Sequence, residues 1–414
     1  MDANGPQGTL ARFLEHTQAR RIGVAVSGGS DSLALLHLVC DWALTHGVKV
    51  HAATVDHGLR SEAPSEAAYV AQICEGLGVS HTILCWTDWD KSGNLQAEAR
   101  AARYRLLADW AKSRNLESVL LGHTMDDQAE TLLMRLARGA GVDGLSAMAA
   151  RFTRAGQTFG RPLLDVRRQD LRKFLNARDV AWIDDPSNAD PAYDRVRVRA
   201  ALATLGEIGL DAPVLSRVSQ NLAVSRDALR WQVAQIAKDT VTTDRGDIIV
   251  SLSDIAAYPD EILRRLMSEA LMWVSGASYV PRGRAMTRLV AALRAGRGET
   301  LHGCLLRMSH GKCRISREWA AVARVVSCGP VAQEIVWDRR WHVTGPWQEG
   351  LQVRALSEQG ILQVPDWRNC GLPRQSLLAS PSIWYGETLV SAPLAGWEQG
   401  WRAEISPERA NFLS

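Results

Sequence analysis

Val24-Ala25-Val26-Ser27-Gly28-Gly29-Ser30-Asp31-Ser32 decides the reading of this chain. The apolar run Arg21–Val26 enters it as a strand, and an apolar stretch reaching about Leu44 leaves it as a helix. Gly28 and Gly29 let the backbone turn tightly and approach a ligand with no Cβ in the way. The helix that follows aims free N–H groups and its positive dipole end at the loop, which suits a phosphate. Ser27, Ser30 and Ser32 add hydroxyl donors. A carboxylate in a phosphate loop repels its ligand unless a cation bridges the two, so Asp31 points to Mg²⁺. The segment lacks the GxxxxGK[ST] pattern and is not a Walker A loop.

Outward from this loop the first 125 residues alternate strand and helix. Val48–Val55, His81–Trp86 and Ser118–Leu121 read as strands; Glu62–Leu77, Asn94–Arg114 and Asp126–Arg138 read as helices, with Ser61 as an N-cap and Gly78 past a helix end. That rhythm predicts an α/β fold, a doubly wound parallel sheet with its ligand at the carboxyl ends of the strands. A strand at about Thr158–Leu164 and a helix from Val166 to Arg178 follow. The turn formers of Asp184–Pro191 read as a loop. Beyond about 205 the pattern changes. Leu263, Leu266, Met267, Ala270 and Leu271 make one helical face, and Thr300–Met308 and Gly311–Arg317 read as strands. The end of the chain is rich in tryptophan and short strands. The expected division is residues 1–205 as a catalytic domain, 206–325 as a helical middle domain, and 326–414 as a small mixed α/β or β-rich domain.

Composition limits the function classes. The 414 residues are 46% hydrophobic and 22% charged, which excludes a disordered tail or a coiled coil. No apolar stretch approaches the length of a transmembrane helix, and the N-terminus carries no secretory pattern, so a cytoplasmic protein is expected. The seven cysteines are odd in number, scattered and without a CxxC, against both a disulfide framework and a structural zinc site. The net charge of +3 conceals two basic regions: 11 Lys/Arg against 7 Asp/Glu over residues 151–200, and 9 against 2 over 281–320. Such patches suit a polyanion.

Asp126, Asp127 and Glu130 stand at a helix start, and three crowded acids call for a metal or an ammonium group. Arg100 and Arg103 lie three apart on the long helix, where with Arg105 they can face phosphates or a reacting base. His123 follows a strand end, as do Asp56 and His57; at the second of these ends the Val55 backbone suits an adenine. Arg161, Arg195, Arg197 and Arg199 fall in the first basic region. The alternate arginines 195, 197 and 199 do not all share one helix face.

The Ser27–Ser32 segment, SGGSDS, resembles the pyrophosphate-binding loop of the N-type ATP pyrophosphatases, which adenylate a substrate by splitting ATP between its α- and β-phosphates. Four further motifs narrow the likeness. They are Val55-Asp56-His57-Gly58-Leu59-Arg60; Asn94-Leu95-Gln96 with Ala99-Arg100 and Arg103-Tyr104; Gly122 to Thr131 with Arg138-Gly139; and Arg161-Pro162-Leu163-Leu164 with Trp182, Asp185, Asn188 and Arg195 to Arg199. In this order they resemble the tRNA(Ile)-lysidine synthetases over about residues 20–200. The resemblance implies an ATP- and Mg²⁺-dependent ligase that joins the ε-amine of L-lysine to C2 of the wobble cytidine in the CAU anticodon of tRNA(Ile). That change moves codon reading from AUG to AUA.

The resemblance also implies roles. Ser27, Gly28, Gly29, Ser30, Asp31, Ser32, Val55 and Arg100 hold ATP. Asp31 and Asp126 hold the metal, and Asp127 and Glu130 hold lysine. Asp31, Arg103, His123, Asp127 and Glu130 serve catalysis. Arg161, Arg195 and Arg199, with Arg282, Arg284 and Arg288 in the second basic region, hold tRNA. A homodimer stays open. The chain departs from many relatives in reading His123-Thr124 where they carry two consecutive histidines. Two alternatives stand beside this reading. A 2-thiocytidine-type thiolase would want cysteines near the site motifs, and none is there. A non-catalytic tRNA-binding protein would have no need of crowded carboxylates.

Overall fold

Strands buried on both faces need no polar alternation, so short apolar runs make the centre of a parallel sheet. The computed structural model describes residues 5–58, 63–87, 89, 94–184, 194–277, 279–328, 334–407 and 412. It divides into two compact units, residues 1–226 and 227–414. In the first, β1 (Arg21–Ala25), β2 (Lys49–Asp56), β3 (Ser80–Cys85), β4 (Ser118–Leu121), β5 (Arg151–Arg154) and β6 (Gln157–Gly160) form one sheet in the order β3-β2-β1-β4-β6-β5. All neighbours are parallel except the edge strand β5, a hairpin partner of β6.

The helices of this unit are α1 (Pro6–Leu14), α2 (Ser30–His46), α3 (Ala63–Gly76), α4 (Leu95–Ser113), α5 (Met125–Leu136), α6 (Val142–Leu145), α7 (Arg168–Asn176) and α8 (Asp194–Gly206). On one face of the sheet Leu10, Leu33, Val70 and Leu171, from α1, α2, α3 and α7, share a core with Ile22, Val24 and Leu120. On the other, Tyr104, Leu107 and Trp110 of α4 pack on Ala53, Val119 and Phe159. The sheet is doubly wound, as the sequence predicted. Its strand order reverses between β1 and β4, with Ala25 opposite Leu121 at their carboxyl ends. In open α/β sheets that reversal marks the ligand crevice. The Ser27–Ser32 loop leaves β1 there, and Gly122-His123-Thr124 leaves β4 there.

α9 (Ala212–Thr240) begins in the first unit and ends in the second. The second unit is less helical than its sequence pattern suggested. Its antiparallel sheet, in the order β7-β8-β11-β10-β9, comprises β7 (Val241–Asp244), β8 (Asp247–Ser251), β9 (Glu299–Leu301), β10 (Cys304–Ser309) and β11 (Lys312–Arg317). Against it lie α11 (Asp260–Ser275) and α12 (Gly283–Arg294), after the short α10 (Leu252–Ile255). Leu263, Leu266, Met267, Ala270 and Leu271 are buried in that core, as predicted. The predicted strand Thr300–Met308 is two, because His302 and Gly303 both take positive φ and turn the chain. Two smaller sheets close the chain, with Trp337, Trp384 and Trp401 wholly buried. All seven cysteines are unpaired. No described helix is long and apolar enough to cross a membrane.

Candidate active site

The loop after β1 is held by its own hydroxyls. Ser32 Oγ accepts the Ser27 N–H at 3.1 Å, donates to the Gly29 carbonyl at 3.0 Å and lies 3.3 Å from Ser27 Oγ. Gly29 is the N-cap of α2 and supplies no side chain, so the first N–H groups of the helix are left for a ligand. Gly28 sits at φ +86°, and a Cβ there would lie 2.9 Å from Ile183 Cδ1. That position needs glycine for both conformation and space.

Three of the predicted acids meet at one arginine that the sequence reading did not single out. Arg168, the first residue of α7, donates from Nε to Asp31 at 2.8 Å. Its two terminal nitrogens stand 3.4 Å from Asp127 and 3.4 Å from Glu130. Its backbone N–H donates to Asp126 at 2.7 Å, so Asp126 caps α7. The crowding of these acids, which the sequence assigned to a metal or an ammonium group, is met in part by guanidinium groups of the chain itself. Arg199 donates to Glu130 at 2.6 Å, and Arg195 Nε lies 3.7 Å from its other oxygen. Being four apart on α8, Arg195 and Arg199 share the face toward Glu130. Arg197, between them, pairs with Asp194. Glu130 is 1% exposed, yet its Oε2 has no hydrogen bond among the described residues.

The α5 end is pinned by a capping box. Thr124 donates from its N–H at 2.8 Å and its hydroxyl at 2.9 Å to Asp127 Oδ2, and the Asp127 N–H returns to Thr124 Oγ1. Met125 N–H donates to the Val166 carbonyl at 3.0 Å, which locks the start of α5 to the segment before α7.

Burial sets the proton affinities, modified by these charges. It pushes the Asp31 carboxyl above the usual range, against the pull of Arg168. It acts the same way on Asp127, but Arg168 and the Thr124 N–H outweigh it and hold that carboxyl low. His123 is pushed down to about 3 by burial, aided by Arg103, Arg161 and Arg195 and opposed by Asp127. It is neutral, and its buried Nδ1 has no hydrogen-bond partner among the described residues. Arg168 rises above its ordinary value because its three carboxylates overcome the cost of burial.

His123 also borders a cavity of about 1330 Å³ in the same unit. Its lining holds eight arginines, among them Arg100, Arg161, Arg195 and Arg199, against the acids Asp143 and Asp194. Arg161 is buried there over the Phe152 ring, 4.0 Å from its centre, and donates to the Ala149 carbonyl at 2.8 Å. Arg103 is half-buried, its pKa lowered by desolvation and by Arg100, Arg195 and Arg161. Arg105 is exposed. Val55 lies two residues past Ala53, the last β2 residue paired with β1, and pairs with Leu84 of β3. Asp56 turns back to accept the Gly58 N–H at 2.8 Å. His57 is lowered by burial and by Arg103, and stands edge-on to Trp86. In the other unit Arg282, Arg284 and Arg288 are exposed at the start of α12, with no ion pair among the described residues. Leu59, Arg60, Ser61, Asp185 and Asn188 lie outside the described residues.

Arg168 and Arg172 are the functional candidates that sequence reasoning missed. Arg172, one turn further along α7, lies 3.5 Å from Ser30 Oγ and pairs with Asp184. A signal was present: Arg168 follows Arg161-Pro162-Leu163-Leu164 closely and belongs to the basic region already counted.

A hydroxyl-tied glycine loop at the switch point of a doubly wound sheet, running straight into a helix, defines a PP-loop protein. A family model described as the PP-loop domain matches residues 5–205. The chain is 47% identical to the tRNA(Ile)-lysidine synthase of Ruegeria pomeroyi over 395 residues, 95% of this chain and 93% of that protein. It is 33% identical to that of Wolbachia pipientis wMel over 353 residues, 84% of this chain and 82% of the other. With that of Zymomonas mobilis it shares 38% over 289 residues, 69% and 85% of the two chains. The chain belongs to the tRNA(Ile)-lysidine synthase family.

Proposed function

We propose that this chain is an ATP-dependent ligase that attaches L-lysine through its ε-amine to C2 of the wobble cytidine in the CAU anticodon of tRNA(Ile). The cytidine O2 attacks the α-phosphate of ATP and pyrophosphate leaves; lysine then attacks C2 of the adenylated base and AMP leaves. The observation that carries this reading is the meeting of the nucleotide loop, through Asp31, with the two carboxylates Asp127 and Glu130. A nucleotide loop alone supports adenylation. Acids joined to it support an amine as the second reactant.

Ser27, Gly28, Gly29, Ser30 and Ser32 receive the phosphates, with Arg100 and the Val55 backbone as further ATP contacts. The lysine site is Asp127 and Glu130, and Glu130 Oε2, which accepts no hydrogen bond among the described residues, is an acceptor for an ammonium group. The arginines around it offer partners to the lysine carboxylate, so the mixed cluster suits a zwitterion. Asp31 and Asp126 fit Mg²⁺. They are hard oxygen donors that share Arg168 as a neighbour, and Mg²⁺ takes one or two carboxylates together with substrate phosphates. When bound, the ion neutralises charge on the leaving pyrophosphate. Arg103 serves catalysis, facing the phosphates or the reacting base. Lysine loses a proton before it attacks, and a cluster carboxylate or His123 takes it.

The arginine-lined cavity, with Arg161, Arg195 and Arg199, receives the anticodon loop, and Arg282, Arg284 and Arg288 grip the tRNA backbone. Residues 1–205 carry catalysis and residues 206–325 further tRNA contacts, with residues 326–414 as a C-terminal domain. The setting is the cytoplasm, and a homodimer is compatible with the reaction. The test is labelled lysine with Mg-ATP and unmodified tRNA(Ile) bearing CAU. Label should enter acid-precipitable, alkali-stable material only with both ATP and that tRNA. ATP split to AMP and pyrophosphate without label would reject lysine as the nucleophile.

A further inference from the structure

We infer that Arg168 is a positioning residue that fixes the carboxylate of the nucleotide loop, Asp31, against the lysine-side carboxylates Asp127 and Glu130. The inference rests on the lysine-transfer reading above and adds to it a residue from a different segment of the chain. Asp31 belongs to the first turn of α2, and Asp127 and Glu130 belong to α5. One guanidinium joins both, with Nε on Asp31 and one terminal nitrogen toward each α5 acid.

The base of the side chain is held as firmly as its tip. The Arg168 N–H is bound by Asp126. Leu171 and Leu175 of α7 are fully buried in the core that α2 shares. A planar fork on a packed helix keeps three carboxylates at set angles, whereas an ammonium group is a point charge without that directionality.

The consequence is specific to the second half-reaction. Lysine must meet C2 of a base whose phosphate lies at the loop, and small misplacements of reacting groups are costly in rate. Removing Arg168 uncouples the acids that orient lysine from the loop that places the adenylate. Arg168→Lys keeps the charge and loses the fork. In a folded Arg168→Lys protein the lysine KM should rise about ten- to hundredfold, the size of a lost charge-assisted hydrogen bond. The KM for ATP in tRNA-dependent pyrophosphate release should change far less. In Arg168→Ala the lost lysine transfer should return in part when guanidinium is added at millimolar, non-denaturing concentration.

An unchanged lysine KM in folded Arg168→Lys overturns the inference. So does Arg168→Ala that keeps native circular dichroism and gains nothing from guanidinium. If Arg168→Ala does not fold, the lysine KM of Arg168→Lys decides alone. Wild-type protein that transfers no lysine at all would instead overturn the functional reading on which the inference rests.

Discussion

Asp31 is where the loop's electrostatics are concentrated, and its neighbours fix what its loss should do. It accepts from Ser30 and Arg168, and burial already works against its charge. Asp31→Ala should abolish pyrophosphate release while tRNA binding stays near wild type, since the proposed tRNA contacts lie on other elements. Loss of both would mean the protein had misfolded. Gly122 is a second sensitive point. A Cβ there would lie 2.9 Å from the Asp31 carbonyl oxygen and 3.0 Å from Ser32 Cα. Backbone cannot swing aside as a flexible side chain can, so Gly122→Ala should displace the loop or cost about 1–3 kcal/mol of overpacking. The ATP KM and the melting temperature together read this out; neither moving would show that the approach of β4 to α2 is slack.

At the scale of elements, α12 presents Arg284 and Arg288 four residues apart on an exposed face, with Arg282 at its N-cap. Reversing all three charges should weaken tRNA binding and lower the slope of log affinity against log salt by roughly one unit for each phosphate no longer neutralised. A slope identical to wild type would make this face ordinary solvated surface. The elements differ in how far the sequence exposes them. β4 was legible residue for residue because Ser-Val-Leu-Leu is buried on both faces and bounded by a charged turn and a glycine. The β5–β6 hairpin was half legible: β6 carries the buried residues, while β5 is an exposed edge whose hairpin turn, Ala155-Gly156, has no Asn-Gly or Asp-Gly signal. The β7–β8 hairpin was hidden for the same reason, with β7 reading Val-Thr-Thr-Asp. In the site, the acids were legible because Asp127 and Glu130 are helical neighbours. Arg168 was not, because only the packing of α7 along α2 brings it to Asp31, 137 positions away in sequence.

Across the whole molecule, burial of imidazole rings sets a pH limit on stability. His37, His51, His57, His81, His123 and His302 all have their pKa lowered, in each case chiefly by desolvation. A depressed pKa means the folded protein declines protons that the unfolded chain accepts once the pH falls below about 6.5. Their contribution is complete above that pH and is lost as pH falls toward the folded values, with each whole proton of difference worth about 1.4 kcal/mol per pH unit. Asp31 and Asp247 act in the opposite direction. Burial raises both, so the folded state takes up their protons first and gains stability on acidification. Two such acids stand against six imidazoles. The balance therefore favours loss. The melting temperature should be nearly flat above pH 7 and fall clearly from pH 6.5 to 5.5. His123→Gln should reduce the steepness of that fall, because burial holds this ring down at about 3, so it stays neutral throughout that range in the folded protein. A melting temperature that holds or rises down to pH 5.5 would mean that the buried carboxyls, not the histidines, govern the acid response.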